Sequence, residues 1–140
     1  MGIFLIDDNA DEARFEERVL RAYLLNPVRS FADPQEALEH VFIQGGLSVR
    51  LPQMIFARVG SDPPGVLDLV RALRRDPRTS RIPVVLMADS ESAVRRLPFP
   101  SEHCAVLLRP LDLSSLAEAL RATEVQWVLT DAVPAGLRAS

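Results

Sequence analysis

Continuous apolar runs alternate along this chain with segments in which apolar residues recur at helical spacing. The runs are four to six residues long, as expected for strands that are buried on both faces of a sheet. Four predicted strands are such runs and cover Ile3–Ile6, Met54–Ala57, Ile82–Met87 and Ala105–Leu108. A further strand is predicted over Val28–Phe31, which follows the break at Asn26-Pro27. Because a helical segment follows each of them, the pattern predicts five successive strand–helix pairs.

The first three helical segments have clear apolar stripes. Asn9 and Glu12 form a capping-box signature for the first helix, on which Phe15, Val19 and Tyr23 share one stripe. The residues predicted to face inward on the second and third helices are Ala37, Leu38, Val41, Phe42, Val66, Leu69, Val70 and Leu73.

The last two helices are read from their boundaries. The fourth, within Ser90–Leu97, is expected to be short because Pro98 and Pro100 stop it. Asp112 or Ser114 caps the fifth helix. The apolar residues presented by the fifth helix are Leu113, Leu116 and Leu120.

Strands that alternate with helices are joined by right-handed crossovers, which gives a parallel sheet with helices on both faces. We predict one α/β domain over residues 1–129 and a flexible C-terminal tail over residues 130–140. In parallel sheets of this kind, the functional site lies at the carboxyl ends of the strands. These ends carry Asp7-Asp8, Arg58, Ala88-Asp89 and Arg109-Pro110, which we expect to converge on one shallow site.

The composition of the 140-residue chain is that of an ordinary globular protein, with 48% hydrophobic and 25% charged residues. No apolar run reaches the roughly 20 residues that a membrane span needs, so we expect a cytoplasmic protein without a membrane partner. The net charge of −3 gives no general reason to expect nucleic-acid binding. A cluster of arginines is interpreted as a solvated helix face and loop, with a binding patch as the alternative. Its members are Arg71, Arg74, Arg75, Arg78 and Arg81.

Three motifs in register with this element order resemble those of a bacterial response-regulator receiver domain. They are Ile3–Asn9 at the first strand, Ile82–Leu86 at the fourth and Leu107–Asp112 at the fifth, and the resemblance covers Ile3–Trp127. It implies a flavodoxin-like, doubly wound sheet of five parallel strands in the order 2-1-3-4-5, with helices on both faces. It also implies a role in two-component or phosphorelay signal transduction.

The resemblance implies a phosphorylation site that is degenerate in this chain. Asp7 and Asp8 match the acidic pair that helps to hold Mg²⁺ in the family, and the position of the phosphate-accepting aspartate falls on Arg58. A guanidinium group is not deprotonated in proteins and cannot attack phosphorus, so this substitution removes the nucleophile.

Other positions of the family's switch differ as well. The hydroxyl residue that follows the phosphoryl group in the family corresponds to Ala88, and the aromatic residue on the fifth strand corresponds to Val106. The near-universal lysine corresponds to Arg109, which keeps the positive charge in a different geometry. The resemblance also implies a cis peptide bond before Pro110.

The neighbouring carboxylates of Asp7 and Asp8 repel each other unless a cation lies between them. We expect Arg58 to supply that cation through charge-assisted hydrogen bonds, with Arg109 as a second one. Binding of Mg²⁺ should then be lost or weak, and no other metal or cofactor is expected. In the alternative interpretation, Arg58 points to solvent and Asp7 only caps the first helix.

The leading hypothesis is a stand-alone receiver that is not phosphorylated at the usual site, is not an enzyme and acts through protein contacts. The expected partner is a signalling protein, either a histidine kinase or a downstream effector. A homodimer is a further hypothesis, for which Leu116, Leu120 and Trp127 are candidate interface residues. The alternative for these three residues is that they only cover the sheet.

Two other functions remain as alternatives. A shifted phosphate acceptor is one alternative, since Asp62 follows the third strand and Asp89 follows Ala88, so that either could lie near the site. Asp62, however, precedes Pro63-Pro64 in a turn where acidic residues are common. A flavin or nucleotide carrier would need a phosphate cradle after the first strand, where the segment Asp7–Glu12 offers carboxylates that repel phosphate.

Overall fold

The computed structural model describes residues 2–42, 51–59, 64–95 and 103–123. Five strands alternate with five helices along the chain. The strands are β1 (Ile3–Ile6), β2 (Val28–Phe31), β3 (Met54–Val59), β4 (Val84–Ala88) and β5 (Cys104–Leu108). The helices are α1 (Ala10–Tyr23), α2 (Pro34–Val41), α3 (Pro64–Arg75), α4 (Glu91–Arg95) and α5 (Leu113–Ala122). No helix in these described stretches is both long enough and apolar enough to cross a bilayer.

The strands form one parallel sheet in the order β2-β1-β3-β4-β5, which confirms the predicted topology. The central strands end together at one edge, where Ile6 pairs with Ala57 and Ala88 pairs with Leu108. The loops that leave this edge therefore start within a short distance of one another, which places the candidate site there.

Each face of the sheet has its own apolar core. Side chains alternate along β3, so that Ile55 and Ala57 pack against α2 and α3 while Met54 and Phe56 pack against α1 and α5. The inward stripes predicted for α2 and α3 are confirmed, because all eight residues that were predicted to face inward on these two helices are buried in the first core or packed against it. Helices thus cover both faces, as the near-continuous apolar strands require.

Helix α1 differs from the sequence-based expectation in the position of its buried stripe. Phe15 is 49% exposed, whereas Glu16 and Leu20 are the buried residues of the helix. Val19 and Tyr23 pack only partly against the core. The stripe is therefore rotated toward Glu16, whose carboxyl group has a buried partner described below.

Only one of the two halves of the capping box predicted for α1 is present. The side chain of Asn9 accepts hydrogen bonds from the amides of Asp11 and Glu12, as an N-cap residue does. The amide of Asn9, however, donates to Oδ1 of Asp7 at 2.9 Å rather than to Glu12. The carboxylate of Glu12 is therefore free to turn toward the ends of β3 and β5.

Helix α5 begins at a complete capping box formed by Asp112 and Ser115. Leu116 and Leu120 are 0% and 6% exposed and pack against the sheet, so neither is available as an interface residue. This outcome follows from amphipathicity, since a helix over an apolar sheet must turn its leucines inward. Trp127, Asp62, Pro98, Pro100 and the predicted tail over residues 130–140 lie outside the described residues.

One member of the arginine cluster is a structural residue rather than a solvated one. Arg74 on α3 donates to the carbonyl oxygens of Ile82, at 2.9 Å, and His103, at 3.2 Å. These residues lie just before β4 and β5, so the guanidinium group joins α3 to the starts of two strands. Desolvation by burial lowers the pKa of Arg74. The other four side chains of the cluster are exposed.

Candidate functional site

Charged side chains converge at the carboxyl edge of the sheet. Asp7 and Asp8 follow β1, Arg58 is the penultimate residue of β3, Asp89 follows β4 and Arg109 follows β5. Glu12 and Glu16 reach the same place from α1. We call these seven residues the ion cluster: Asp7, Asp8, Glu12, Glu16, Arg58, Asp89 and Arg109.

Arg58 is held by three carboxylates and is only 23% exposed in its side chain. Its terminal nitrogens lie 2.7 Å from Oδ1 of Asp8 and 3.0 Å from Oδ2 of Asp89, and its Nε lies 3.8 Å from Oε2 of Glu12. Burial opposes the charge of Arg58, but hydrogen bonds to Asp8 and Asp89 outweigh it and raise its pKa. The guanidinium group is therefore fixed in the site and does not point freely to solvent.

Arg109 is the more deeply buried cation, with 9% of its side chain exposed. Its Nε donates to Oε2 of Glu16 at 3.1 Å, and one terminal nitrogen donates to Oδ1 of Asp89 at 2.8 Å. The other terminal nitrogen lies 3.5 Å from Oδ2 of Asp7 and also contacts Glu12. Burial opposes this charge too, but the carboxylates around it raise the pKa of Arg109.

The two acidic residues after β1 are divided between the two cations. Arg58 pairs with Asp8, whereas the ion-pair partner of Asp7 among the described residues is Arg109. The expectation that Arg58 lies between Asp7 and Asp8 therefore differs from the structure. The reason is depth, because Asp7 is 4% exposed and only the buried guanidinium group of Arg109 reaches it.

Glu12 and Glu16 were not assigned to the site from the sequence. Their spacing of four residues places both side chains on one face of α1, and that spacing is the signal that could have pointed to them. Asp89 was expected among the strand-end residues of the site, and the role considered for it was that of a shifted phosphate acceptor. In the structure its carboxylate instead bridges the two guanidinium groups.

Negative charge exceeds positive charge in the ion cluster. Five carboxyl groups surround two guanidinium groups, so full ionisation would leave three uncompensated negative charges, 5 − 2 = 3. Glu16 is 1% exposed, and burial together with a hydrogen bond to Asp7 raises its pKa to about 8. Two carboxyl groups can hydrogen-bond each other only when one holds a proton. Glu16 therefore carries that proton at neutral pH.

No protein-family model matches the sequence, and no curated protein matches it. Solved structures do share its fold. The bacteriophytochrome response regulator AtBRR is 21% identical with a TM-score of 0.75, and the match covers 93% of this chain and 96% of that one. The bacteriophytochrome response regulator RtBRR is 20% identical with a TM-score of 0.74, over 99% of this chain and 86% of that one.

A two-component response regulator from Legionella pneumophila is 17% identical with a TM-score of 0.70, over 89% of this chain and 98% of that one. This chain has the receiver fold. The fold implied by the sequence motifs is therefore the fold that the observed strand order shows.

In this receiver fold, three of the four carboxylate oxygens of Asp7 and Asp8 already face partners within the chain. Oδ1 of Asp8 is bonded to Arg58, while Oδ1 of Asp7 accepts from the amide of Asn9 and Oδ2 faces Arg109. Magnesium needs oxygen ligands in near-octahedral geometry, and two guanidinium groups compete with it for these oxygens. Within the described ranges, no group of three or more His, Cys, Asp or Glu residues is arranged to hold a metal ion.

The other positions that the resemblance assigned to the family's switch are Ala88, Val106 and the bond before Pro110. Ala88 is fully buried at the end of β4 and carries no hydroxyl group. Val106 lies on the edge strand β5 and is 37% exposed. The Arg109–Pro110 peptide bond is cis, the isomer that the resemblance implied at this position. A cavity of about 530 Å³ opens beside Arg109, between Phe15 and Pro110.

Proposed function

We propose that this chain is a receiver-fold signalling module of two-component or phosphorelay transduction that is not phosphorylated at the usual position. It acts through contacts with a protein partner and is not an enzyme. The observation that carries the proposal is the position of Arg58 near the end of β3, with its guanidinium group bonded to Asp8 and Asp89.

The chemistry of Arg58 supports this proposal in two ways. A guanidinium group has no nucleophilic lone pair to offer to phosphorus, so position 58 accepts no phosphoryl group. Its positive charge also pairs with Asp8, one of the two acidic residues that would recruit a metal, and the raised pKa of Arg58 keeps that charge in place. The other acidic residue, Asp7, pairs with Arg109. We therefore infer that Arg58 removes the nucleophile and that Arg58 and Arg109 together weaken metal binding.

A shifted phosphate acceptor is the second candidate function. Asp89 is close to the site, but each of its oxygens is bonded to a guanidinium group, and these bonds lower its pKa against the effect of burial. A carboxylate in that state is a weak nucleophile. Asp62 lies outside the described residues and stays an alternative.

A flavin or nucleotide carrier has less support. The loop after β1 surrounds the site with the carboxylates of Asp7, Asp8 and Glu12, which repel a phosphate group. The partner expected instead is a histidine kinase or a downstream effector, with a homodimer of the chain as a further possibility. A net charge of −3 gives no reason to add nucleic acid to these partners, and the cytoplasm is the proposed compartment.

The test is the intact mass of the protein after incubation with Mg²⁺ and acetyl phosphate. A phosphorylatable receiver serves as positive control, and Arg58→Asp serves as the matched variant because it restores a carboxylate at the acceptor position. We expect no added phosphate on the wild-type protein. A stoichiometric phosphate on the wild-type chain would contradict the proposal and would return Asp62 or Asp89 to consideration, which peptide mapping would then distinguish.

A further inference from the structure

Asp89 bridges two cations that belong to different strands. Its Oδ2 accepts from Arg58 at 3.0 Å, and its Oδ1 accepts from Arg109 at 2.8 Å. Because Asp89 directly follows β4, this one carboxylate joins the carboxyl ends of β3, β4 and β5. The neighbouring backbone adds a further link, since the amide of Arg109 donates to the carbonyl oxygen of Ala88 at 2.9 Å.

The segment that follows Asp89 contains one short helix, and none of the side chains that the structure describes in it is buried. Helix α4 spans only the five residues Glu91–Arg95, a length at which a helix is not stable by itself. Ser90, Glu91 and Ser92 are exposed, so their side chains bury little apolar surface. The amide of Ala93 donates to Oγ of Ser90 at 3.2 Å, which closes the first turn but does not tie it to the sheet.

The Asp89 bridge is well suited to hold this segment although the residue lies near the surface. The Asp89 side chain is 48% exposed, but it pairs with two guanidinium groups whose own side chains are only 23% and 9% exposed. Charge-assisted hydrogen bonds in such partly desolvated positions are stronger than those between neutral groups. Arg58 and Arg109 lower the pKa of Asp89 against the opposing effect of burial, so the carboxylate stays ionised at neutral pH.

We propose that Asp89 is a built-in anionic latch that fixes the segment Asp89–Arg95 in one conformation. The latch needs no phosphate, metal or ligand, because its anion and both cations belong to the chain. This inference rests on the proposed function in one respect: a module that signals without phosphorylation needs another means to set the surface it presents. The latch would open only when Asp89 loses its charge or one of its two partners.

The test is amide hydrogen exchange of Asp89→Asn, which keeps the size of the side chain and removes its charge. We expect exchange in the segment Asp89–Arg95 to accelerate by about tenfold, the change in opening equilibrium that follows loss of a charge-assisted contact. Amides in β1 and β3 should keep their wild-type rates. Asp68→Asn is the matched control, because Asp68 is an exposed residue of α3 with one long ion pair to Arg71.

Equal exchange of this segment in Asp89→Asn and Asp68→Asn would overturn the latch. If Asp89→Asn unfolds the whole domain, Arg58→Gln replaces it, since this variant removes one arm of the bridge and leaves Arg109 in place. Local acceleration in Asp89–Arg95 is again expected, and an unchanged rate there would refute the proposal.

A double variant separates the latch from unrelated effects of the two substitutions. Because both single changes break the same bridge, the exchange rate of Arg58→Gln with Asp89→Asn should be no higher than that of Asp89→Asn alone. If the increases in exchange rate of the two single variants multiply in the double variant, the two residues act independently and the latch is rejected. All these measurements omit phosphodonors, so the result is distinct from a failure of the proposed function, which is judged by added phosphate on the wild-type protein.

Discussion

Oε2 of Glu16 lies 3.1 Å from Nε of Arg109, and the two residues are 93 positions apart in the chain. Glu16 is 1% exposed, a degree of burial that is rare for a glutamate without a partner. Its second neighbour is Asp7, which is 4% exposed and contributes, after burial, to the raised pKa of Glu16. The pair of carboxyl groups and the guanidinium group form the buried end of the ion cluster.

Replacement of Glu16 by Gln should remove a pH dependence of stability. The folded-state pKa of Glu16 is raised from 4.5 to about 8, so the folded protein binds a proton that the unfolded chain releases above pH 4.5. The stabilisation is complete below pH 4.5 and is lost as pH rises toward 8, at up to about 1.4 kcal/mol per pH unit. Urea unfolding at several pH values between 5 and 9 measures this slope.

The Glu16→Gln variant should have a flatter stability curve than the wild type over that range, because its amide stays neutral and can still donate to Asp7. Glu17→Gln is the control, since Glu17 lies next in sequence and pairs with Arg21 on the outer face of α1. A wild-type curve without a decline between pH 5 and 8 would mean that Glu16 is ionised in the folded state.

Replacement of Arg109 by Gln should destabilise the protein strongly. Arg109 pairs with four carboxyl groups with 9% of its side chain exposed, and removal of one partner of a buried ion pair costs about 3–5 kcal/mol. Urea unfolding at pH 7 measures the change in free energy. Arg21→Gln, at a 63% exposed side chain on α1, should change it by less than about 0.5 kcal/mol. Similar values for the two variants would show that the cluster contributes little to stability.

Replacement of Arg58 by Asp should create a metal site. The change adds a carboxylate and removes a guanidinium group, so that Asp8 and position 58 become available as oxygen ligands. Mg²⁺ should then raise the melting temperature of Arg58→Asp, with a stabilisation of about 2.7 kcal/mol when its concentration is 100 times the dissociation constant.

Arg58→Asn is the matched control for the metal site, because it removes the same cation without adding a charge. Differential scanning fluorimetry with and without Mg²⁺ compares the two variants and the wild type. An Arg58→Asp protein that does not respond to Mg²⁺ would contradict the placement of position 58 at the acceptor site.

Two substitutions on α1 test the rotation of its buried stripe. Phe15→Ala should cost less than about 1 kcal/mol, because half of the ring is already exposed to solvent. Leu20→Ala should cost about 2–5 kcal/mol, since Leu20 is fully buried and its loss leaves a cavity. Urea unfolding measures the change in the free energy of unfolding for both variants. A larger loss for Phe15→Ala than for Leu20→Ala would mean that the buried stripe of α1 contains Phe15, as the periodicity of the sequence predicted.

The sequence was sufficient for the sheet and for the five strand-end residues of the ion cluster, but not for Glu12 and Glu16. Apolar runs such as Met54–Ala57 are local patterns, and their alternation with helices determines a parallel sheet almost by itself. The burial of Glu16 depends on Arg109, a partner that becomes a neighbour only after folding. No local pattern contains that information, and a glutamate beside an apolar stripe would ordinarily be placed at the surface.

The contacts of Arg74 could not be predicted from the sequence either. Its spacing within the arginine cluster is that of an exposed helix face, which is a sound expectation for a charged residue on α3. The carbonyl oxygens of Ile82 and His103 become its acceptors because β4 and β5 begin beside the end of that helix. The position of a strand start relative to a helix end is set by packing, which periodicity does not encode.

The guanidinium group of Arg58 is a counterion that the polypeptide carries with it. A dissolved cation must be recruited at whatever concentration the surroundings offer, whereas a group tethered to the same chain has an effective concentration of the order of millimolar or more. The neutralisation of Asp8 is therefore independent of the supply of divalent ions.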